Sequence, residues 1–185
     1  MRPSLLCLNL QRDYLDVGSP LFIPRGGEAA LKARMCLWWA RRQQLSIVHI
    51  HTVSASRSGS IAGCEPLLGE TLLFKTSASV FDSDEFSERY RGRAAFDAIV
   101  VGFAGSRDCL CAAIDAGRRQ ARLVFVSDAI ASPALGAHDQ TEVDAVLGSL
   151  LGELSASTST LELMQREWRS ERRLEDHVTQ YRGGM

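Results

Sequence analysis

The sequence lacks a large excess of charge of either sign. Its 21 basic and 22 acidic residues give a formal net charge of −1. Such a balance provides no field that would gather nucleic acid or an anionic membrane. No apolar run approaches the ~20 residues of a membrane span, and the first residues lack the long apolar stretch of a signal peptide. These absences predict a cytoplasmic protein that binds neither nucleic acid nor membranes.

The cysteine spacing indicates neither a disulfide framework nor a metal site. The five cysteines form an odd set, and Cys109 and Cys111 lie only two positions apart, which predicts free thiols in a reducing compartment. His49 and His51 share one face of a predicted strand, but no third metal ligand is visible nearby. Residues 102–105 lack the spacing of a dinucleotide-binding loop. The sequence therefore predicts neither a metal nor a cofactor.

The composition is that of one globular domain. Hydrophobic residues make up 45% of the 185 residues and charged residues 23%. A chain of this length buries roughly 70% of the surface that its unfolded form exposes, which is sufficient for a single core.

Short apolar runs alternate with segments of helical periodicity. Continuous runs of Val, Ile and Leu are typical of strands covered on both faces. The runs predict strands over residues 4–9, 46–51, 71–74, 97–103 and 122–127. Helices are predicted over residues 28–43, 83–93, 109–120 and 141–154. The alternation predicts a three-layer α/β/α sandwich with an open, mainly parallel sheet of five or six strands.

Two segments depart from this pattern. Residues 53–70 are rich in Ser and Gly, and a loop of that length in a small domain is often functional, so we expect it to cover a pocket. Residues 160–181 have apolar residues near one face of a possible helix. We therefore divide the chain into a main domain over residues 1–160 and a helix over residues 161–185 that packs on the domain or on a second subunit.

Polar residues follow the predicted strands at their carboxyl ends, where sites form in open α/β sheets. Asn9 and Gln11 follow the first strand, Lys75 follows the third, and Asp108 and Cys109 follow the fourth. An amide such as Asn9 cannot exchange a proton at useful pH, so it can only orient a ligand. An isolated lysine at a strand end is, in itself, more often a solvated surface residue.

Together these segments resemble the isochorismatase-like (cysteine hydrolase) superfamily over about residues 4–160. In that family the first strand ends in a catalytic Asp, the third is followed by a catalytic Lys, and a turn after the fourth presents a nucleophilic Cys. On this match Asn9 replaces the Asp, Lys75 matches the Lys, and Asp108 takes the position of the Cys. Two anchors, Gly102 and Asp115, give the same register.

The resemblance implies further features. It implies an isochorismatase-like fold, a small-molecule ligand, and a homodimer or larger assembly for which Trp38, Trp39 and the tail helix are candidate contacts. Asp128, after the fifth strand, is expected to cap or orient a loop. Substrate-binding positions are implied at four residues, Gln11, Tyr14, Ser79 and Phe81.

Asp108 and Cys109 leave alternatives open. A thiol at a helix amino terminus is a good nucleophile, but using Cys109 requires a one-residue shift that rotates a helical side chain by about 100°. Otherwise Cys109 and Cys111 are small core residues. Asp108 either stabilises the helix start by up to about 1 kcal/mol or supplies the carboxylate that is lost at Asn9.

Two functions remain open. The first is a hydrolase for a small amide or vinyl ether with a rearranged site of Lys75, Asp108 and possibly Cys109; within the family the isochorismatases hydrolyse a vinyl ether without a cysteine. The second is a catalytically silent binding or partner subunit that keeps the fold. Asn9 favours the second function, and Lys75 favours the first.

Overall fold

A computed structural model describes residues 2–53, 58–90, 97–119 and 121–166. Its strands form one sheet in the order β3-β2-β1-β4-β5-β6, and every neighbouring pair is parallel. The strands are β1 (Ser4–Leu8), β2 (Ser46–Thr52), β3 (Thr71–Lys75), β4 (Asp97–Phe103), β5 (Arg122–Ala131) and β6 (Ala156–Thr158). The prediction of an open α/β sheet is confirmed, with six strands.

Helices cover both faces of the sheet. They are α1 (Gly26–Arg42), α2 (Asp84–Tyr90), α3 (Leu110–Arg118), α4 (Gln140–Leu154) and α5 (Thr160–Gln165). Successive residues of β1 point to opposite faces: Leu5 packs with α1 and α5, whereas Leu6 packs with α2, α3 and α4. Two apolar cores therefore sandwich the sheet, which explains why the strands are hydrophobic without alternation.

Two differences from the sequence predictions concern β5 and β6. The fifth strand continues to Ala131, because a bulge re-pairs Gly102 with Ile130 and Phe103 with Ala131. Asp128 therefore lies within β5 and not after it, and its carboxylate accepts hydrogen bonds from the amide and hydroxyl of Thr160, the first residue of α5, as a capping side chain does. The three-residue strand β6 was not predicted, because Ala156–Thr158 carries no apolar run.

The predicted contact surfaces are only partly described. Trp38 is 54% exposed and lies beneath the Arg42 guanidinium, but Trp39 is buried in the core on the α1 side. Trp39 was thus wrongly predicted as a surface residue, because it faces the sheet. Most of the predicted tail helix lies outside the described residues, so the two-part division and the homo-oligomer stay predictions. None of the helices described here is long and apolar enough to cross a membrane.

Candidate functional site

Asn9 turns the chain at the end of β1. Its φ of 52° is in the left-handed region, which asparagine tolerates better than most residues. Its side chain lies between neighbouring strand ends: Nδ2 donates to Asp108 Oδ2 at 2.5 Å, and Oδ1 accepts from Thr52 Oγ1 at 2.7 Å. Nδ2 also lies 3.3 Å from the carbonyl oxygen of Phe103. The amide is therefore held from three sides.

The end of β4 is shaped by unusual backbone geometry. Gly102 has a φ of 133°, and a Cβ at this position would overlap the carbonyl oxygen of Leu8. Ala104 then adopts a left-handed conformation, and a short π-helical turn (Gly105–Cys109) precedes α3. The amide of Asp108 donates to the carbonyl of Ala104 at 2.7 Å. The close approach at Gly102 and this turn place Asp108 beside β1.

Lys75 reaches the same point from the edge strand β3. It is almost fully buried. Its Nζ donates to Asp108 Oδ2 at 2.5 Å and to the carbonyls of Ser77 and Ala78 at 2.9 and 3.2 Å. All three ammonium protons thus have an acceptor, which a buried lysine requires.

Asp108 is the centre of this group. Its carboxylate is fully buried, and Arg107 Nε donates to its second oxygen, Oδ1, at 2.6 Å. Two cations therefore bind one carboxylate directly. Asn9, Lys75, Arg107 and Asp108 are called the strand-end cluster below. The structure thus brings the three predicted positions 9, 75 and 108 into contact, although the roles assigned to them stay predictions.

Cys109 does not join the strand-end cluster. Its thiol is fully buried in the apolar core with Ala112, Ala113 and Leu147. Burial, followed by the neighbouring Asp108 carboxylate, raises the pKa of this thiol well above its ordinary value. Reactive thiols sit in partly exposed, electropositive surroundings, so this placement favours the interpretation of Cys109 as a core residue.

Two of the predicted substrate-binding residues, Gln11 and Tyr14, make different contacts. Gln11 exchanges two hydrogen bonds with the backbone of Thr52, at 2.9 and 3.1 Å, and so ties β1 to β2. The Tyr14 ring packs against Phe103 at 5.4 Å between centroids.

The Ser79 and Phe81 side chains contact residues of their own segment. Ser79 Oγ accepts a hydrogen bond from the amide of Phe81, and the Phe81 ring packs edge-on against Phe86. Binding roles for these four residues therefore stay predictions.

Arg107 and Thr52 were not singled out from the sequence. Thr52 could have been found as a hydroxyl at the carboxyl end of β2. Arg107 immediately precedes the position that the sequence match assigns to the nucleophile. The direction of its side chain depends on the π-helical turn, which no residue pattern predicted.

Part of the predicted covering loop lies along this end of the sheet. Its residues 54–57 are outside the described residues. The amide of Ile61 donates to the carbonyl of Leu10 at 2.9 Å, and the amide of Arg12 donates to the carbonyl of Gly59 at 3.0 Å. The described part of the loop is thus tied to the chain that follows β1.

A second buried polar group lies on the α1 side of the sheet. Glu70 binds Arg41 through both oxygens, at 2.7 and 3.0 Å, and His49 Nε2 at 2.9 Å. Burial lowers the pKa of His49. Arg41, His49 and Glu70 are called the β2 cluster below. His51 instead lies 3.4 Å from Ser60 Oγ. Within the described ranges, no three His, Cys, Asp or Glu residues are grouped as metal ligands.

Comparison with solved structures identifies the fold. An isochorismatase from Pseudomonas putida superposes with a TM-score of 0.79 at 21% identity, covering 87% of this chain and 89% of its own. An isochorismatase-like hydrolase from Alkaliphilus metalliredigens gives 0.77 at 17%, covering 89% and 98%. The fold is that of the isochorismatase-like hydrolases.

The same fold extends to amidases. N-carbamoylsarcosine amidase from Thermoplasma acidophilum superposes with a TM-score of 0.67 at 18% identity, covering 86% of this chain and 97% of its own. Neither a family model nor a curated protein matches the sequence. The predicted isochorismatase-like fold is thus confirmed at the level of three-dimensional structure.

Proposed function

We propose that this chain is a protein of the isochorismatase-like fold that binds a small molecule at the strand-end cluster without covalent hydrolysis. The observation that carries the proposal is the engagement of Asp108, whose Oδ2 accepts from Lys75 and Asn9 while Oδ1 accepts from Arg107. On the sequence match, this carboxylate takes the position of the family's nucleophile, and here it binds two cations.

Covalent hydrolysis of an amide needs a nucleophile and a group that accepts its proton. The Asn9 amide cannot accept a proton at useful pH, and the Cys109 thiol is buried in the core. The two substitutions nevertheless keep the charge balance of the site: the carboxylate that is absent at position 9 is present at position 108. A buried Lys75 without such a partner would be strongly destabilising.

Hydrolysis without a thiol is the second candidate, and one contact favours it. Lys75 Nζ donates a hydrogen bond to Asp108 Oδ2, so a group that can give up a proton and a group that can accept one lie side by side. Among the described residues, Oδ1 of Asp108 accepts one hydrogen bond, from Arg107, and a carboxylate oxygen has the capacity to accept a second. Such a pair would suit proton transfer to a vinyl ether or activation of water on a small amide.

The test is to restore the family residues. The wild type and the variants Asn9→Asp, Asp108→Cys and the double variant are assayed on a panel of small amides and vinyl ethers. We expect no turnover by the wild type and amidase activity in the double variant, because base, lysine and thiol are then present together. Asn9→Asp combined with Ser106→Cys is the matched control, since it places a thiol on the same turn while Asp108 keeps its carboxylate.

Two results would contradict the proposal. Turnover by the wild type that is lost in Asp108→Asn would establish the thiol-independent hydrolase instead. A correctly folded double variant without activity on any substrate would argue against an intact pocket at this strand end.

A further inference from the structure

We propose that the ligand of the strand-end cluster carries an anionic oxygen group, such as a carboxylate, which binds the outward edge of Arg107 and the hydroxyl of Tyr14. This inference rests on the proposed binding function and adds the chemical class of the ligand. It is drawn from the hydrogen-bond donors that the cluster leaves unused.

Arg107 supplies a prepositioned fork of donors. Its Nε is fixed by Asp108 at 2.6 Å, and Asp108 is itself fixed by Lys75 and Asn9. The Nη1 and Nη2 groups of Arg107 have no acceptor among the described residues, and its side chain is 56% exposed. A guanidinium whose Nε is already held presents these two nitrogens as a planar pair that matches the two oxygens of a carboxylate.

The charges directly bonded in the cluster do not cancel. Lys75 and Arg107 are both cations, and among the described residues Asp108 is the one carboxylate that either of them binds. The buried Lys75 is matched by Asp108, so the excess positive charge lies on the exposed Arg107. An anionic ligand would neutralise this charge, whereas a neutral amide would not.

The hydroxyl of Tyr14 is the second unused group. It is buried and has no hydrogen-bond partner in the described part of the chain. Burial, followed by the Asp108 carboxylate, raises the pKa of Tyr14 to about 12, so the group stays a neutral donor. Its ring packs against the Phe103 ring, and the Phe103 carbonyl accepts a hydrogen bond from Asn9 Nδ2.

An unpaired buried hydroxyl is costly, and a ligand oxygen would satisfy it. Because the hydroxyl is buried, a ligand reaches it only when a neighbouring side chain moves. Arg107 is the exposed member of this neighbourhood and influences the Tyr14 hydroxyl electrostatically, so an anion held on its guanidinium lies near that hydroxyl.

The experiment uses benzoate and benzamide as a charged and a neutral probe of the same shape. Phenylglyoxal modifies accessible arginines, and peptide mapping gives the rate at each site. We expect benzoate to slow modification of Arg107 and benzamide to have little effect. Arg118, which is 74% exposed at the end of α3, is the internal control and should be unaffected.

Variants give a second readout through benzoate affinity. Arg107→Gln should weaken benzoate binding roughly tenfold or more, because a charge-assisted pair is lost, and Tyr14→Phe by about fivefold. Arg107→Lys keeps the charge but loses the planar fork, so its affinity should fall between those of the wild type and Arg107→Gln. Arg118→Gln is the matched control and should bind as the wild type does. Urea unfolding of each variant verifies that it is folded.

The inference is overturned if benzoate fails to protect Arg107 at millimolar concentration, or if benzamide protects it equally. It is also overturned if folded Arg107→Gln binds benzoate as the wild type does. These results would leave the proposed function standing, because that proposal is decided by turnover in the wild type and the restored variants.

Discussion

The two ionic clusters on the sheet, the β2 cluster and the strand-end cluster, differ in their charge balance and in their hydrogen-bond partners. In the β2 cluster, Glu70 binds Arg41 and the largely neutral His49, and it also accepts from the amide of Leu67. One carboxylate and one guanidinium balance each other there. In the strand-end cluster, two cations share one carboxylate, and one of them, Arg107, is exposed and keeps unused donors.

The difference shows why burial of charged groups does not by itself indicate function. The β2 cluster ties Glu70 to α1 and β2, and its carboxylate and guanidinium balance each other, although His49 Nδ1 is buried without a hydrogen-bond partner in the described part of the chain. The strand-end cluster lies where the carboxyl ends of β1, β3 and β4 meet, which is where open α/β sheets place their sites. Its position and its unbalanced charge are the two observations on which the proposed binding site rests.

The largest effect is expected from breaking the buried pair of Lys75 and Asp108. Asp108→Leu should lower the free energy of unfolding by about 3–5 kcal/mol, because Lys75 is left buried without its carboxylate. Lys75→Met combined with Asp108→Leu should recover much of this loss, since no buried charge remains. Urea unfolding measures both. A single variant that loses less than about 1 kcal/mol would show that the pair behaves like a surface one.

A smaller, pH-dependent effect is expected in the β2 cluster. Burial opposes ionisation of Glu70, but hydrogen bonds from Arg41, Leu67 and His49 outweigh it and lower its pKa from 4.5 to about 2. The folded state therefore keeps Glu70 ionised where the unfolded state protonates it. This stabilisation is complete above pH 4.5 and is lost as the pH falls towards 2.

Glu70→Gln removes this contribution. We expect it to lower the free energy of unfolding by about 1–3 kcal/mol at pH 7, and the gap from the wild type to close between pH 4.5 and 2. Glu28→Gln, in an exposed pair with Arg25, is the control and should change stability by less than about 1 kcal/mol. A gap that persists at pH 2 would mean that packing, and not charge, accounts for the loss.

The smallest effect concerns the thiols beside each cluster. Burial raises the pKa of Cys64, near the β2 cluster, to about 11, and it also raises that of Cys109. Iodoacetamide should therefore label the half-buried Cys111 first and label Cys109 as slowly as Cys7, as followed by mass spectrometry. Labelling in urea provides the control, because all thiols are then exposed. Fast labelling of Cys109 in the folded protein would instead support the hypothesis that it is a nucleophile.

Much of the site could be predicted from the sequence, because the apolar runs show where the buried strands end. Asn9, Lys75 and Asp108 each follow a strand, and parallel strands bring such residues to one edge of the sheet. Arg107 could not be assigned in this way, because its side-chain direction depends on the π-helical turn and on the left-handed Ala104. The burial of Cys109 depends on the same turn, so the sequence left both of its interpretations open.

The sequence by itself determined the alternation of buried strands and amphipathic helices, and with it a parallel sheet, since hydrophobic periodicity is a local property. It also determined which chemical groups the site can use, because Asn9 is an amide whatever its surroundings. The tertiary structure alone decided the partners of those groups. Which cation neutralises Asp108, and which donors of Arg107 remain unused, depend on distances between residues far apart in the chain, and no local pattern encodes them.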